Sequence, residues 1–400
     1  MEIGKVKGFR DILPPESLKR EKVTETIKKY FKLYGFLPVE TPTIETDELL
    51  KGDNQEDEAV ADRYRLKDKA GRELGLRYEF TAQLPRLFAE YKNIKLPFRR
   101  YQIGNVFRDE PVRAERYREF VQCDADIIGD PSVYADAECL ALANDIIKEL
   151  NIKAEIIVNN RKLLDSILEK LEIKDKKQAL REIDKLDKLG EQDVRKALSS
   201  LMDKKKIDNL FELLKKDLNY FVKNNFSGAS EIQELIDICS LYNVRPRFSS
   251  SLVRGFSYYT GNVFECFSKE QKFSVASGGR YDKKVGKYLG RDIPSVGISF
   301  GTIVDYPKVE SESIKVVVIS IGKDKESIKF LQELRRNNIS SLMMNKVTKA
   351  LEYANSYSIP YAVFIGEKEV KNKKFKLRDM KTGKESSLNK DNIIKLLQKK

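Results

Sequence analysis

The sequence predicts an α+β protein: an antiparallel sheet built from two separated stretches, a helical insertion between them, and a small α/β module at the C-terminal end. Three observations carry that prediction. Residues 98–129 read as two strands joined by a charged loop, with Tyr101, Ile103 and Val106 in the first and Phe120, Ile127 and Ile128 in the second. Residues 161–243 are lysine-rich and apolar at helical spacing, as at Leu163, Leu164, Ile167, Leu168 and Leu171. From residue 314 onward, strand and helix patterns alternate, which implies a mainly parallel sheet.

Composition narrows the function classes. The 400 residues include 75 Lys or Arg and 62 Asp or Glu, a formal charge of +13 that favours a polyanionic partner such as RNA. No apolar run is long enough to span a bilayer and the opening residues Met1–Lys5 lack signal-peptide character, so no membrane role and a cytoplasmic location are expected. Cys123, Cys139, Cys239 and Cys266 are scattered without a CxxC pair, and there is no histidine, so neither structural disulfides nor a zinc site is expected. Without imidazole, Ser-His triads are excluded. Chemistry driven by positioning and fixed positive charge remains.

In chain order, residues 16–34 form an amphipathic helix with Val23, Ile27, Phe31 and Tyr34 on one face and Gly35 as its stop. Residues 36–42 are a short extended segment whose prolines suit a sheet edge or an interface. The polar residues 51–60 read as a loop, and 64–66 with 74–77 as a hairpin. Between the strands of 98–129 lie Arg108, Asp109, Glu110, Arg113, Glu115, Arg116 and Arg118, a dense set of cations with carboxylates whose guanidinium forks suit a polyphosphate. A helix over 134–150 and a strand over 154–158 follow, and after the helical insertion the sheet resumes with 252–265. Tyr258, Tyr259 and Tyr281 near Gly278 and Gly279 suit a polar ligand as well as a core. The resulting partition is 1–160 and 244–305 for the sheet module, 161–243 for the insertion, 306–313 as a linker, and 314–400 for the last module. Near its end, Lys368, Lys371, Lys373, Lys374, Lys376 and Arg378 surround Phe375, a pattern that suits a phosphate backbone.

Four of these stretches carry a resemblance. Phe107-Arg108-Asp109-Glu110 with Arg116-Tyr117-Arg118-Glu119-Phe120 and Gln122-Cys123-Asp124 resembles motif 2 of class II aminoacyl-tRNA synthetases, and the histidyl-tRNA synthetase family in particular. Residues 77–82, 252–265 and 276–282 resemble that family in the same order, and the likeness runs from Gly8 to the C-terminal module. It implies a class II antiparallel-sheet catalytic domain, an insertion that embraces the tRNA acceptor arm, a C-terminal anticodon-binding domain, and a homodimer formed through the motif 1 region containing Pro42. The implied activity is histidine–tRNA ligation, with ATP and Mg²⁺ and with histidine and tRNA(His) as partners. By the same resemblance, Arg108 and Arg254 are the catalytic cations, and Glu110 and Arg116 join them in binding ATP. Glu79 and Thr81 orient the amino group of histidine. Gln122 and Asp126 lie deep in its pocket, with Asp126 taking a ring N–H, and Tyr258, Tyr259 and Tyr281 form the walls. One departure stands out: Val304 falls where motif 3 has an arginine for the γ-phosphate, and Arg280 or an arginine of the charged loop is the candidate to replace it. That departure leaves two alternatives, a non-catalytic tRNA-binding sensor and a synthetase-like regulatory subunit.

Overall fold

The structure is a computed structural model that describes residues 4–52, 57–112, 117–253, 258–268, 270, 273–301 and 314–398. The chain divides into two compact units, Met1–Asp11 with Val23–Tyr306 and Ile12–Lys22 with Pro307–Lys400.

The larger unit is organised by one sheet. Its strands, with those of a small accessory sheet, are β1 (Leu37–Pro38), β2 (Ile44–Thr46), β3 (Arg65–Lys67), β4 (Glu73–Leu76), β5 (Phe98–Phe107), β6 (Glu119–Ile128), β7 (Glu155–Asn160), β8 (Arg247–Phe248), β9 (Asn262–Ser268), β10 (Phe273–Arg280) and β11 (Ser295–Phe300). The main sheet runs β1-β5-β6-β11-β10-β9-β7-β8, and β2-β4-β3 is the accessory sheet. The six central strands pair antiparallel, while β1 and β8 join the two edges in parallel. The proline-bearing segment therefore sits at an edge, where a missing N–H costs no ladder bond.

Alternation explains which faces are buried. Along β6, Gln122, Asp124 and Asp126 share one face, while Cys123, Ala125 and Ile127 share the other. Both sets are buried, so the polar face needs internal partners. The helix Glu16–Leu33 contributes Val23, Ile27 and Phe31 to the core, where the Phe31 ring meets Phe36, Tyr101 and Phe300 at 5.3 to 6.3 Å. The helix Val133–Glu149 is buried along most of its length and contacts the sheet at β11, β10 and β6.

Helices occupy the stretch between β7 and β8, beginning with Arg161–Lys170 and ending with Ala229–Leu241. Asn160, Asp175, Asp203 and Asp217 accept hydrogen bonds at the starts of four of them. Two expectations need correction. The end of the loop expected over 51–60 enters a helical turn, Glu58–Ala61, and the strand expected over 252–265 begins only at Asn262. Leu252 and Val253 instead belong to the irregular approach, where Asn159 Nδ2 donates to the Leu252 carbonyl at 3.0 Å.

The smaller unit adds β12 (Val316–Ser320), β13 (Ser341–Met344), β14 (Tyr361–Ile365), β15 (Phe375–Asp379) and β16 (Glu385–Leu388), ordered β13-β12-β14-β15-β16. Only β13, β12 and β14 are parallel; β15 and β16 run antiparallel, so the sheet is mixed rather than mainly parallel. The reason is connection length. The segment between β14 and β15 holds a helix of six residues, too short for a parallel crossover. Phe375 also differs from expectation: it is buried and stacked on Phe330 at 5.3 Å, so its ring belongs to the core instead of offering a base-stacking face. Lys376 and Arg378 pair with Glu385 across the β15–β16 ladder.

Candidate active site

The polar face of β5 and β6 is the floor of the site. Arg100, Gln102 and Gly104 on β5 stand opposite Asp126, Asp124 and Gln122 on β6. Asp126 Oδ2 lies 2.7 Å from Arg100 Nη2, and the Tyr281 hydroxyl donates to Asp126 Oδ1. Gln122 Nε2 donates to Asp124 Oδ2 at 2.9 Å. Gly297 on β11 is opposite Asp126, and any side chain there would collide with Asp126 Oδ1. Gly279 plays the same part for Tyr259, whose ring a Cβ would meet at 2.9 Å. The glycines of β10 and β11 thus let polar and aromatic groups lie directly on the backbone.

Electrostatics follow from that burial. Burial pushes the Asp124 carboxyl up to about 7, helped by the neighbouring charge of Asp126 and opposed by Arg100. Burial also raises Asp126, against the pull of Arg100 and of the Tyr281 hydroxyl. The Tyr258 and Tyr281 hydroxyls are pushed well above their ordinary value by burial, so both remain donors at neutral pH.

The tyrosine wall joins the floor to a second carboxylate. The Tyr258 ring lies 4.8 Å from that of Tyr259 and 5.9 Å from that of Tyr281. Tyr258 Oη donates to Glu79 Oε2 at 3.2 Å, while Lys284 Nζ donates to Glu79 Oε1 at 2.9 Å. The Lys284 ammonium also sits 3.8 Å from the centre of the Tyr258 ring. Glu79 is buried and already holds a cation of the chain itself. Thr81 is buried in the 3₁₀ turn Thr81–Gln83 that follows. A cleft of about 680 Å³ opens beside Tyr258, Tyr259 and Lys284, with Lys51, Arg161 and Lys283 among its cationic lining.

Arg108 stands at the end of β5. Its Nε donates to the Tyr78 carbonyl at 3.2 Å, next to Glu79, and its guanidinium lies 5.1 Å from the centre of the Phe120 ring. Glu110 is half-buried, and its carbonyl accepts from Arg118 Nε at 3.1 Å. Glu79, Tyr258, Tyr259, Tyr281 and Asp126 therefore form one connected group, with Gln122 on the same face of β6 as Asp126 and Arg108 beside Glu79. Arg116, Arg254 and Val304 lie outside the described residues.

Arg280 is not placed to act on a nucleotide. Its Nε donates to Asp136 Oδ2 at 3.1 Å, Nη2 also engages that carboxylate, and Nη1 and Nη2 donate to the carbonyls of Asp130 and Ser132 at 3.0 and 2.8 Å. With Asp136 fully buried, this arginine is spent within the fold, which corrects its candidacy as a substitute for the motif 3 arginine. Sequence reasoning missed Arg100, Asp124 and Lys284. A signal was present for Arg100: a cation at an inward position of an otherwise β-patterned strand requires a buried counter-ion.

The family model described as histidyl-tRNA synthetase matches residues 8–302, and the one described as anticodon binding domain matches residues 315–400. The chain belongs to the histidyl-tRNA synthetase family. It is 36% identical over 414 residues to histidine–tRNA ligase 1 of Bacillus cereus (strain ZK / E33L), covering 96% of this chain and 97% of the relative. Histidine–tRNA ligase of Clostridium tetani (strain Massachusetts / E88) is 34% identical, covering 98% of this chain and 97% of the relative. The solved histidyl-tRNA synthetase of Nostoc sp. PCC 7120 superposes with a TM-score of 0.87 at 26% identity, covering 100% of this chain and 99% of that one. A class II synthetase uses ATP, and a histidyl-tRNA synthetase acts on histidine and tRNA; in this member Gln122 and Asp126 lie on the β5–β6 hairpin.

Proposed function

We propose that the chain is a histidine–tRNA ligase that makes histidyl-adenylate from histidine and ATP and transfers the histidyl group to tRNA(His). The observation that carries this reading is the pair of tyrosine rings in edge-to-face contact, Tyr258 donating to Glu79 and Tyr281 to Asp126, beside Arg108, in a member of this family. The histidine carboxylate attacks the α-phosphate in line and pyrophosphate leaves; no protein nucleophile is needed. Arg108 stabilises the charge that develops on the phosphate, with Arg254 assigned to the opposite side. Glu110 and Arg116 complete the nucleotide contacts. Glu79 and Thr81 orient the substrate amine, and Asp126 accepts a ring N–H while Gln122, Tyr258, Tyr259 and Tyr281 enclose the side chain. Mg²⁺ would come with the ATP phosphates and their waters, where it would neutralise charge on the leaving pyrophosphate.

The proposal extends to organisation. Residues 161–243 act as the insertion that meets the tRNA acceptor arm, 306–313 as a linker, and 314–400 as the anticodon-binding domain. Two copies pair through residues 16–45, where Leu33, Leu37 and Ile44 are exposed near the sheet edge. The cytoplasm is the compartment that holds its substrates; among the described residues no helix is long and apolar enough to cross a membrane.

Histidine-dependent exchange of labelled pyrophosphate into ATP tests the reading. Exchange that requires histidine supports it. Tight tRNA binding without exchange would favour the sensor, and loss of both would favour the regulatory subunit.

A further inference from the structure

One fully buried charge in the larger unit is not explained by the activity. Arg100 is fully inaccessible on β5, between the edge strand β1 and β6. An ion pair in such a place is a poor stabiliser, since well-packed apolar side chains of similar volume do as well or better. Its counter-ion is Asp126, 2.7 Å away, directly opposite in the β5–β6 ladder. Asp124, two residues earlier on the same face, is a second buried carboxylate with only that one guanidinium nearby. The Glu79 carboxylate has Lys284 instead. Among the described residues, Asp124 Oδ1 and Asp126 Oδ2 accept no hydrogen bond of good geometry. Among the same residues Nε, Nη1 and Nη2 of Arg100 also lack a hydrogen bond of good geometry, so the guanidinium holds Asp126 by charge while both carboxylates keep an oxygen open, and a ligand that brings an N–H donor can engage it.

We propose that Arg100 is a positioning and specificity residue: it fixes the Asp126 carboxylate between itself and Tyr281 so that Asp126 meets an N–H of the histidine ring. The inference rests on the histidine-pocket reading above. Two restraints hold the carboxylate, the guanidinium at Oδ2 and the Tyr281 hydroxyl at Oδ1, and the glycine at 297 supplies the space. Burial favours the neutral acid at Asp126, and Arg100 is the cation that opposes it. A charged carboxylate only accepts, whereas a neutral one also donates and loses its discrimination for a donor ring. Arg100 touches no reacting atom, so its removal acts on the amino acid and leaves the nucleotide alone.

The test is calorimetric titration of histidine into the full-length chain and its variants, alongside the Michaelis constants for histidine and ATP in pyrophosphate exchange. Arg100→Met weakens histidine binding on the order of a hundredfold, the scale for stranding one member of a buried charge pair, and leaves the ATP Michaelis constant within about threefold. Arg100→Lys recovers part of the loss. The double variant Arg100→Met with Asp126→Asn removes both partners of the pair and leaves Asp124, which holds its proton up to about 7, so it folds even if the single variant does not. It binds histidine no more weakly than Asp126→Asn alone, because both changes remove one device. A merely structural arginine would instead lower ATP and histidine affinity together, or add its full cost to that of Asp126→Asn. Either result overturns the inference while the ligase reading stands. Failure of the unaltered chain to bind histidine overturns both.

Discussion

Replacing Arg280 by methionine separates two roles for the residue that stands closest to a spare phosphate-binding cation. Its guanidinium donates to Asp136 and to the carbonyls of Asp130 and Ser132, and among the described residues Asp136 keeps Asn262 Nδ2, at 3.2 Å, as its side-chain donor once the arginine is gone. Stranding a fully buried carboxylate costs about 3–5 kcal/mol, and two carbonyls without donors add on the order of 1 kcal/mol each. Methionine packing and protonation of Asp136, whose carboxyl burial already raises, return part of that, so the net loss is about 4 kcal/mol. With a urea slope of about 3 kcal/mol/M, the first unfolding midpoint falls by roughly 1.3 M. The chain has no tryptophan, so tyrosine fluorescence with far-ultraviolet circular dichroism reports the transition. Below that transition the ATP Michaelis constant changes less than about threefold, since no Arg280 donor is left over for a nucleotide. A midpoint within ~0.3 M of the unaltered chain, together with a tenfold rise in the ATP constant, would refute this and return Arg280 to the γ-phosphate.

Lys284→Met removes the cation that competes with a substrate amine for Glu79, so the histidine Michaelis constant falls by about three- to tenfold in pyrophosphate exchange; a rise would mean that Lys284 assists binding. Asp124 holds its proton up to about 7 in the fold against an ordinary 3.8, so the folded state binds more protons across that window and stability declines as pH rises from about 4 to 7. Asp124→Asn flattens that decline in urea titrations, and an unchanged slope would show that Asp124 does not carry it. Gly297→Ala drives a methyl group into the Asp126 carboxylate, and histidine-dependent exchange drops by at least about a hundredfold; near-normal exchange would remove Asp126 from the pocket. Sedimentation of the intact chain at micromolar concentration gives a dimer, and substituting Leu37 by Lys on the exposed edge shifts it toward monomer.

Local pattern made the fold readable and tertiary pairing made the site. The apolar period of 23, 27 and 31 marks one helix face, and the alternation of 119–128 marks a strand, because each reflects its own segment. β16 escaped notice because Glu385, Ser386 and Ser387 carry no strand propensity; that strand exists through its ladder with β15. Motif likeness gathered Glu79, Gln122, Asp126 and the tyrosines into one expected pocket. It did not reveal Lys284 on Glu79, a contact between residues 205 positions apart, or the capture of Arg280 by Asp136 across 144 positions. Charge pairing at such separations leaves no periodic trace in a sequence. Phe375 between lysines has the composition of a nucleic-acid surface, yet its ring packs on Phe330, since alternation along β15 turns it inward.

The register of the main sheet also sets a timetable. Asp126 on β6 pairs with Gly297 on β11, and all the helices between β7 and β8 are synthesised in the interval. At about 5–20 residues per second, a ribosome spends roughly 9–34 seconds on the ~170 residues that separate those partners. Throughout that time the β6 edge of the β5–β6 hairpin is open, bearing two carboxylates, one of which has its counter-ion in Arg100 on β5. Unpaired strand edges recruit other chains, and inward-pointing charges are among the features that discourage them. The same buried charges that prepare a pocket in the finished enzyme would thus guard an unfinished one, keeping a nascent hairpin apart from its neighbours on the polysome until its own last strand arrives.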